Sequence, residues 1–338
     1  MDDPRELCID VEITRAEVTE SRHRIHAAVV GADDVLSDVA RDPTLVTMWR
    51  SCAKPFQVLP FLASGGFDQL GWGDRQLALS CASHGGEPEH VALAAAMLES
   101  IGLEEGDLAC GPHEPLSARG VKMARELGRG WSRLHNNCSG KHAAMLARAF
   151  TAGWPTGGYE TAAHAVQRAC LDEVASWSGV STDDMPLGVD GCGVTVMALP
   201  LDRMALAYAR WGRAVASRDE FPSRTAAAIR AHPHLLGGTD RFDTVLVEET
   251  GGRIISKVGA EGVHCATVPE LGIGVAIKVE DGAIRAQHVA LLRLLQLVGA
   301  LPDALTPRLA EWSRRIVRNT RGEAVGEVRP VSPASPPS

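Results

Sequence analysis

The sequence has no excess of positive charge, no long apolar run, no close-set cysteine pairs and no internal repeat, and each absence removes a class of protein. Its 34 lysines and arginines against 42 acidic side chains leave a net charge of −8. No basic run is present to track phosphates, so a nucleic-acid partner is not expected. No apolar stretch nears the roughly 18 residues that a bilayer span needs. The acidic opening MDDPRELCIDVEITRAEV has no positive start followed by an apolar core, so neither a membrane anchor nor a secretory signal is expected. The eight cysteines are scattered over 338 residues, which reads as free thiols in a reducing, cytoplasmic compartment. Without a linker-like break, one domain is expected over 1–328, followed by a disordered Pro/Ser-rich tail over 329–338.

What is present is enough apolar material, 45% of residues, to fill a large core. Alternation in VEITRAEV, HRIHAAVVGADDVLSDVA and PTLVTMW predicts a β-rich opening, and KPFQVLPFLASGG has helical spacing with a Gly-Gly stop. LALSCASHGG reads as a buried segment ending in a glycine turn. EPEHVALAAAMLESIGL, SGKHAAMLARAFTAGW, AVQRACLDEVASWSG and LDRMALAYARW put apolar residues three and four apart and predict a helical middle. TVLVEET, GGRIISKVGA, GVHCATVPE and GIGVAIKVEDGA predict strands between glycine turns, and IRAQHVALLRLLQLVGAL predicts one more helix. Strands at both chain ends around a helical middle imply an α+β fold whose antiparallel sheet is built from the two ends.

Several short stretches carry chemistry. In RSCAKPFQ, Ser51 and Lys54 stand at i and i+3, so the amine can reach the hydroxyl. A serine becomes a strong nucleophile when a base takes its proton, and a lysine is such a base only when burial or nearby positive charge holds it neutral. Pro55 lacks an N–H and restrains its predecessor, which puts Ser51 at a helix threshold, where it is either a nucleophile or an N-cap. In SCASHGGEPEH, Ser83 and His84 precede Gly85 and Gly86 at a turn into a helix opening at Glu87, with His90 expected on the helix surface. In HNNCSGKHAAM, Cys138 begins a helix near Ser139, where a thiol pKa is lowered, so it is a thiolate nucleophile, a metal ligand or a buried thiol. His135 and His142 exclude a phosphate-binding loop there. Cys192 lies among glycines next to Asp190, and Lys257 stands in a predicted strand before Gly259.

Taken in order, S-x-x-K, a later serine in a turn and K-x-G on a late strand resemble penicillin-binding proteins, serine β-lactamases and serine glutaminases. With ESRHRIHAAVV, RSCAKPFQ, CASHGGEPEH, NNCSGKHAAML, GVDGCGVT, HPHLLGGTDRFDT, KVGAEG and IKVEDG, the chain more specifically resembles the rhizobial-type, thermolabile or class 3, L-asparaginases, from about residue 8 to 328. The resemblance implies a β-lactamase-like fold, a homodimer, and hydrolysis of L-asparagine to aspartate and ammonia. It implies Ser51 with Lys54 and Ser83 with Lys257 as two catalytic pairs, and substrate contacts from Arg50, His84, Asn137, Asp190 and Gly238. It also implies zinc held by Cys138, Lys141 and Cys192, with Asp190 and His142 nearby. Lys54, Lys141 and Lys257 in one pocket would supply one another's neighbouring charge. Cys52 inside S-x-x-K and Gly85-Gly86 after His84 depart from the family pattern. A serine glutaminase, a β-lactamase or peptidase, and a non-catalytic zinc-binding protein remain as alternatives.

Overall fold

A computed structural model describes residues 3–331 except 127 and 129. Its contacts divide the chain into two compact units, one of Met1–Thr47, Pro200–Arg213 and Ser256–Ser338, the other of Met48–Leu199 and Ala214–Ile255.

In the first unit the two chain ends meet in a six-stranded sheet. Its order is Arg5–Glu6, Leu36–Ala40, Ile25–Val30, Ile273–Val279, Val263–Val268, Ile255–Val258. The central pairing is antiparallel, with Ala28 opposite Ala276, and only the short pair at the N-terminal edge is parallel among those registered. Ile25–Val30 and Ile273–Val279 are buried on both faces rather than alternately, as strands covered on both sides must be. Gly274 explains one cover: a Cβ there would lie 2.1 Å from the Ala209 backbone nitrogen of the helix Leu201–Ala216. A second sheet, ordered Arg315–Arg318, Ala324–Pro330, Val11–Arg15, Val18–His23, again joins the ends, with Val328 opposite Ile13. Arg329 and Pro330 therefore extend a strand into the segment expected to be tail, while residues 332–338 lie outside those described.

The second unit is mainly helical. KPFQVLPFLASGG folds as three short helices, Lys54–Gln57, Leu59–Ala63 and Gly66–Gln69, because Pro55 and Pro60 each open a new first turn. Phe61, Phe67 and Trp72 pack edge to face beneath them, with ring centres 5.4–5.9 Å apart. LALSCASHGG is the end of the helix Asp74–Ser80 and a buried loop into the helix Pro88–Glu99. The helix Ser139–Thr151 buries nearly its whole circumference. Gly140 lets it approach Asp74–Ser80, since a Cβ would stand 2.5 Å from the Leu79 carbonyl. TVLVEET, expected as a strand, belongs to the helix Phe242–Glu249, whose first six residues are all buried; a continuous apolar run carries no period to separate helix from strand. Among the described residues no helix is long and apolar enough to cross a membrane.

Candidate active site

RSCA forms a 3-10 turn, Arg50–Ala53, running directly into the helix Lys54–Gln57. Arg50 holds φ at +53°, a left-handed conformation that a non-glycine residue keeps only when its surroundings impose it. Those surroundings include the Trp49 N–H donating to the Met197 carbonyl at 2.9 Å and the Arg50 Nε donating to Asp190 Oδ1 at 2.7 Å. Ser51, half-buried at this threshold, is where Pro55 requires it to be.

Lys54 does not pair with Ser51. Its ammonium, 1% exposed, donates instead to the Ala82 carbonyl, to Ser83 Oγ at 3.0 Å and to Cys138 Sγ at 3.2 Å. The i, i+3 spacing allowed the first contact; a buried ammonium with three hydrogens takes the direction that satisfies them. Ser83 is presented by a loop tied at both sides, its own N–H donating to the Leu236 carbonyl at 3.0 Å and the His84 N–H to the Asn137 carbonyl at 3.2 Å. His84 is fully buried, accepts from the Gly86 N–H at Nδ1 and contacts Ser139 Oγ at 2.9 Å through Nε2. Burial holds its pKa well below the ordinary value, helped by the charges of His90 and Lys54. Both ring nitrogens are thus engaged by protein.

In the cysteine cluster, neighbouring groups and burial outweigh the helix N-terminus. Cys138 does cap the helix Ser139–Thr151, yet its hydrogen bond to Cys192 and its burial push its pKa up to about 12. Its Sγ also lies 2.9 Å from Asn137 Oδ1. The Cys192 pKa moves the other way, drawn down by the hydrogen bond with Cys138 and, against the cost of burial, by Lys141. Lys141 Nζ lies 3.2 Å from that sulfur. Burial works against its charge, but Cys192, Cys138 and Asp190 outweigh it and raise the pKa. Asp190 closes the ring 3.8 Å from Cys192 Sγ, ionised against its burial by Lys141 and Arg50. His142 is held neutral, at about 3, by burial and by Lys141. Its Nδ1 meets Tyr159 Oη at 2.6 Å, and its buried Nε2 has no hydrogen-bond partner among the described residues.

The L-asparaginase II family profile matches residues 11–330. The chain belongs to the L-asparaginase II family. No curated protein matches it. As a member of that family it is an L-asparaginase, an enzyme acting on the amide of asparagine.

Of the residues anticipated for such an enzyme, hydrogen bonds and close polar contacts join Arg50, Lys54, Ser83, His84, Asn137, Cys138, Lys141, Asp190 and Cys192 within the second unit. Lys257 lies in the first unit, 1% exposed in Ile255–Val258, its Nζ donating to the Val258 carbonyl at 2.9 Å. Gly238 holds φ at +117°, and a Cβ there would stand 2.8 Å from Glu87 Oε1 and 3.4 Å from the Gly85 nitrogen. Gly85 and Gly86 of this asparaginase have a steric reason to lack side chains. A Cβ on Gly85 would meet Ser117 Cβ at 2.7 Å, and one on Gly86 (φ +69°) would meet the His135 carbonyl at 3.0 Å.

Sequence reasoning missed a second cluster. His90, expected at the surface, is fully buried, stacked between His84 (4.9 Å) and His234 (5.0 Å). Glu87, His90 and His234 bring three possible metal-ligand atoms within 4.8 Å of one another. Two of the three side chains already have partners: His90 Nδ1 accepts from the Glu87 N–H at 3.1 Å, its Nε2 meets the His234 carbonyl at 3.0 Å, and the Glu87 carboxylate accepts from Arg119 and Thr239, while His234 Nε2 lies 3.6 Å from Glu87 Oε2. The one sequence signal was Glu87-Pro88 with His90 three residues after Glu87, the positions of a helix N-cap whose third residue reaches back.

Proposed function

We propose that this enzyme hydrolyses L-asparagine to L-aspartate and ammonia through an acyl-enzyme on a serine whose proton Lys54 accepts. The observation that carries the reading is the buried contact of 3.0 Å between Lys54 Nζ and Ser83 Oγ, in a member of an asparaginase family. In the neutral form the amine takes the serine proton as the oxygen bonds to the side-chain amide carbon. The carbon–nitrogen bond then breaks, the lysine returns the proton and ammonia leaves. Water attacks the ester, giving aspartate and free serine. Ser51, at the strained turn beside Arg50, is the other acyl acceptor, and the family resemblance gives Lys257 the role of a second catalytic lysine. Arg50, oriented by Asp190, has further N–H groups for the substrate α-carboxylate. Asn137 and Gly238 complete the substrate contacts. His84, with both nitrogens engaged, supports the loop.

Cys138, Lys141 and Cys192 fit a zinc ion: they are three buried nitrogen and sulfur donors in one cluster, Lys141 Nζ 3.2 Å from Cys192 Sγ. When bound there, zinc supplies Lewis-acid polarisation or fixes the pocket. Loading requires Lys141 and Cys138 to lose their protons, so zinc affinity rises with pH. The family resemblance further supports a cytoplasmic homodimer.

The test is ammonia release from L-asparagine and L-glutamine with and without a chelator. Release from asparagine is expected; the extra methylene of glutamine changes transition-state binding by only about 1–3 kcal/mol, so the ratio of the two rates measures the pocket. A folded protein that releases ammonia from neither amide refutes the reading.

A further inference from the structure

The loop carrying Ser83 ends at Glu87, whose side chain is completely buried. That carboxylate accepts from Arg119 Nη1, from the Thr239 N–H at 2.8 Å and from Thr239 Oγ1 at 2.9 Å. Burial opposes its charge, but these donors outweigh it and hold the pKa below the ordinary carboxylate value.

The partners lie on segments far apart in sequence, and the same segments grip the loop elsewhere. Ser83 N–H donates to the Leu236 carbonyl at 3.0 Å, and Ser117 N–H donates to the Gly85 carbonyl at 3.1 Å. Residues 83–87 are therefore fastened at both ends to 236–239, and in the middle to the start of the helix Ala118–Glu126. The three glycines at the seam, Gly85, Gly120 and Gly238, each lack room for a Cβ: the nearest atoms would lie at 2.7, 2.7 and 2.8 Å.

We infer that Glu87 is a positioning residue for the amidohydrolase reaction, its carboxylate clasping the Ser83 loop to Thr239 and Arg119 so that Ser83 Oγ is held at Lys54. The inference rests on the reading that Ser83 belongs to the reacting pair. Glu89 provides the contrast. It binds the same guanidinium at 2.7 and 2.9 Å but lies on the exposed side and touches no part of the Ser83 loop in these bonds.

The experiment measures kcat and KM for L-asparagine, together with far-UV circular dichroism, for Glu87→Gln, Thr239→Val, Glu89→Gln and Ser83→Ala. The glutamine amide would present N–H to N–H at Thr239 or Arg119, displacing the loop. An ångström of misplacement costs on the order of 100-fold in rate, so Glu87→Gln is expected to lose between about 10- and 100-fold in kcat with KM little changed. Thr239→Val, which removes a single bond, loses less, and Glu89→Gln keeps the wild-type kcat. Folded Glu87→Gln with wild-type kcat, or a loss no larger than its loss of folded protein, overturns the inference. If Glu87→Gln does not fold, Thr239→Val decides: an unchanged kcat overturns the clasp. Full turnover by Ser83→Ala overturns the underlying reading instead, whereas inactive Ser83→Ala beside unaffected Glu87 and Thr239 variants overturns the clasp alone.

Discussion

Replacing Lys54 by methionine keeps a side chain of similar length and removes the proton acceptor. Loss of a positioned general base costs roughly 10²–10⁴ in rate, or about 3–5 kcal/mol of barrier. Stability should change far less, because two effects oppose each other. The Ala82 carbonyl and the Ser83 hydroxyl lose their ammonium donor, and an unsatisfied buried polar group costs about 1–3 kcal/mol. Removing a cation that is 1% exposed also removes its desolvation cost, several kcal/mol for a buried ion. Lys54→Met is therefore expected to fold, with a native far-UV spectrum, and to release ammonia from asparagine at least about 100-fold more slowly. A folded variant within about threefold of wild type, under about 1 kcal/mol of barrier, would refute the role assigned to this lysine.

Other outcomes follow from the same geometry. Gly86→Ala must hold a side chain at φ +69° against the His135 carbonyl and Pro115 at 3.0 Å, whereas Gly102 (φ +71°) faces nothing within 4 Å. In urea unfolding, Gly102→Ala should cost about 1–2 kcal/mol from the left-handed backbone alone, and Gly86→Ala more; equal losses would show that the packing around Gly86 yields freely. Hydrogen bonds from Arg119 lower the Glu89 pKa from 4.5 to about 2. A carboxyl depressed in the fold stabilises above its unfolded pKa and ceases to do so as pH falls through the folded value. The midpoint of thermal unfolding should therefore fall more steeply from about pH 4.5 to pH 2 in wild type than in Glu89→Gln, and parallel curves would contradict that ion pair.

The sequence was most legible where one physical constraint dominates. Pro55 fixed Ser51 at a helix threshold, and the β-rich ends were readable because Val11–Arg15, Ile25–Val30 and Ile273–Val279 are built from apolar, largely β-branched residues. The partners of charged side chains were not readable. Spacing showed that Lys54 can reach Ser51, but the preference for Ser83 depends on where Ala82 and Cys138 fall in space. Likewise a helix N-terminus lowers a thiol pKa, and Cys138 lies at one; its contact with Cys192 and its burial raise it instead, while Lys141, 51 residues from Cys192 in sequence, helps to lower Cys192. His90 was assigned to the surface because periodicity describes a helix in isolation, whereas its burial comes from His84 and His234 on other segments. Phe242–Glu249 failed for the opposite reason, since a segment buried on every side loses the alternation that distinguishes its type.

The most direct test of the central claim is ammonia release from L-asparagine by the double variant Ser51→Ala, Ser83→Ala, compared with wild type at equal folded concentration. A serine acyl-enzyme predicts no turnover above the uncatalysed rate. Turnover near the wild-type rate from the folded double variant would contradict it and place the chemistry on another group in the cluster.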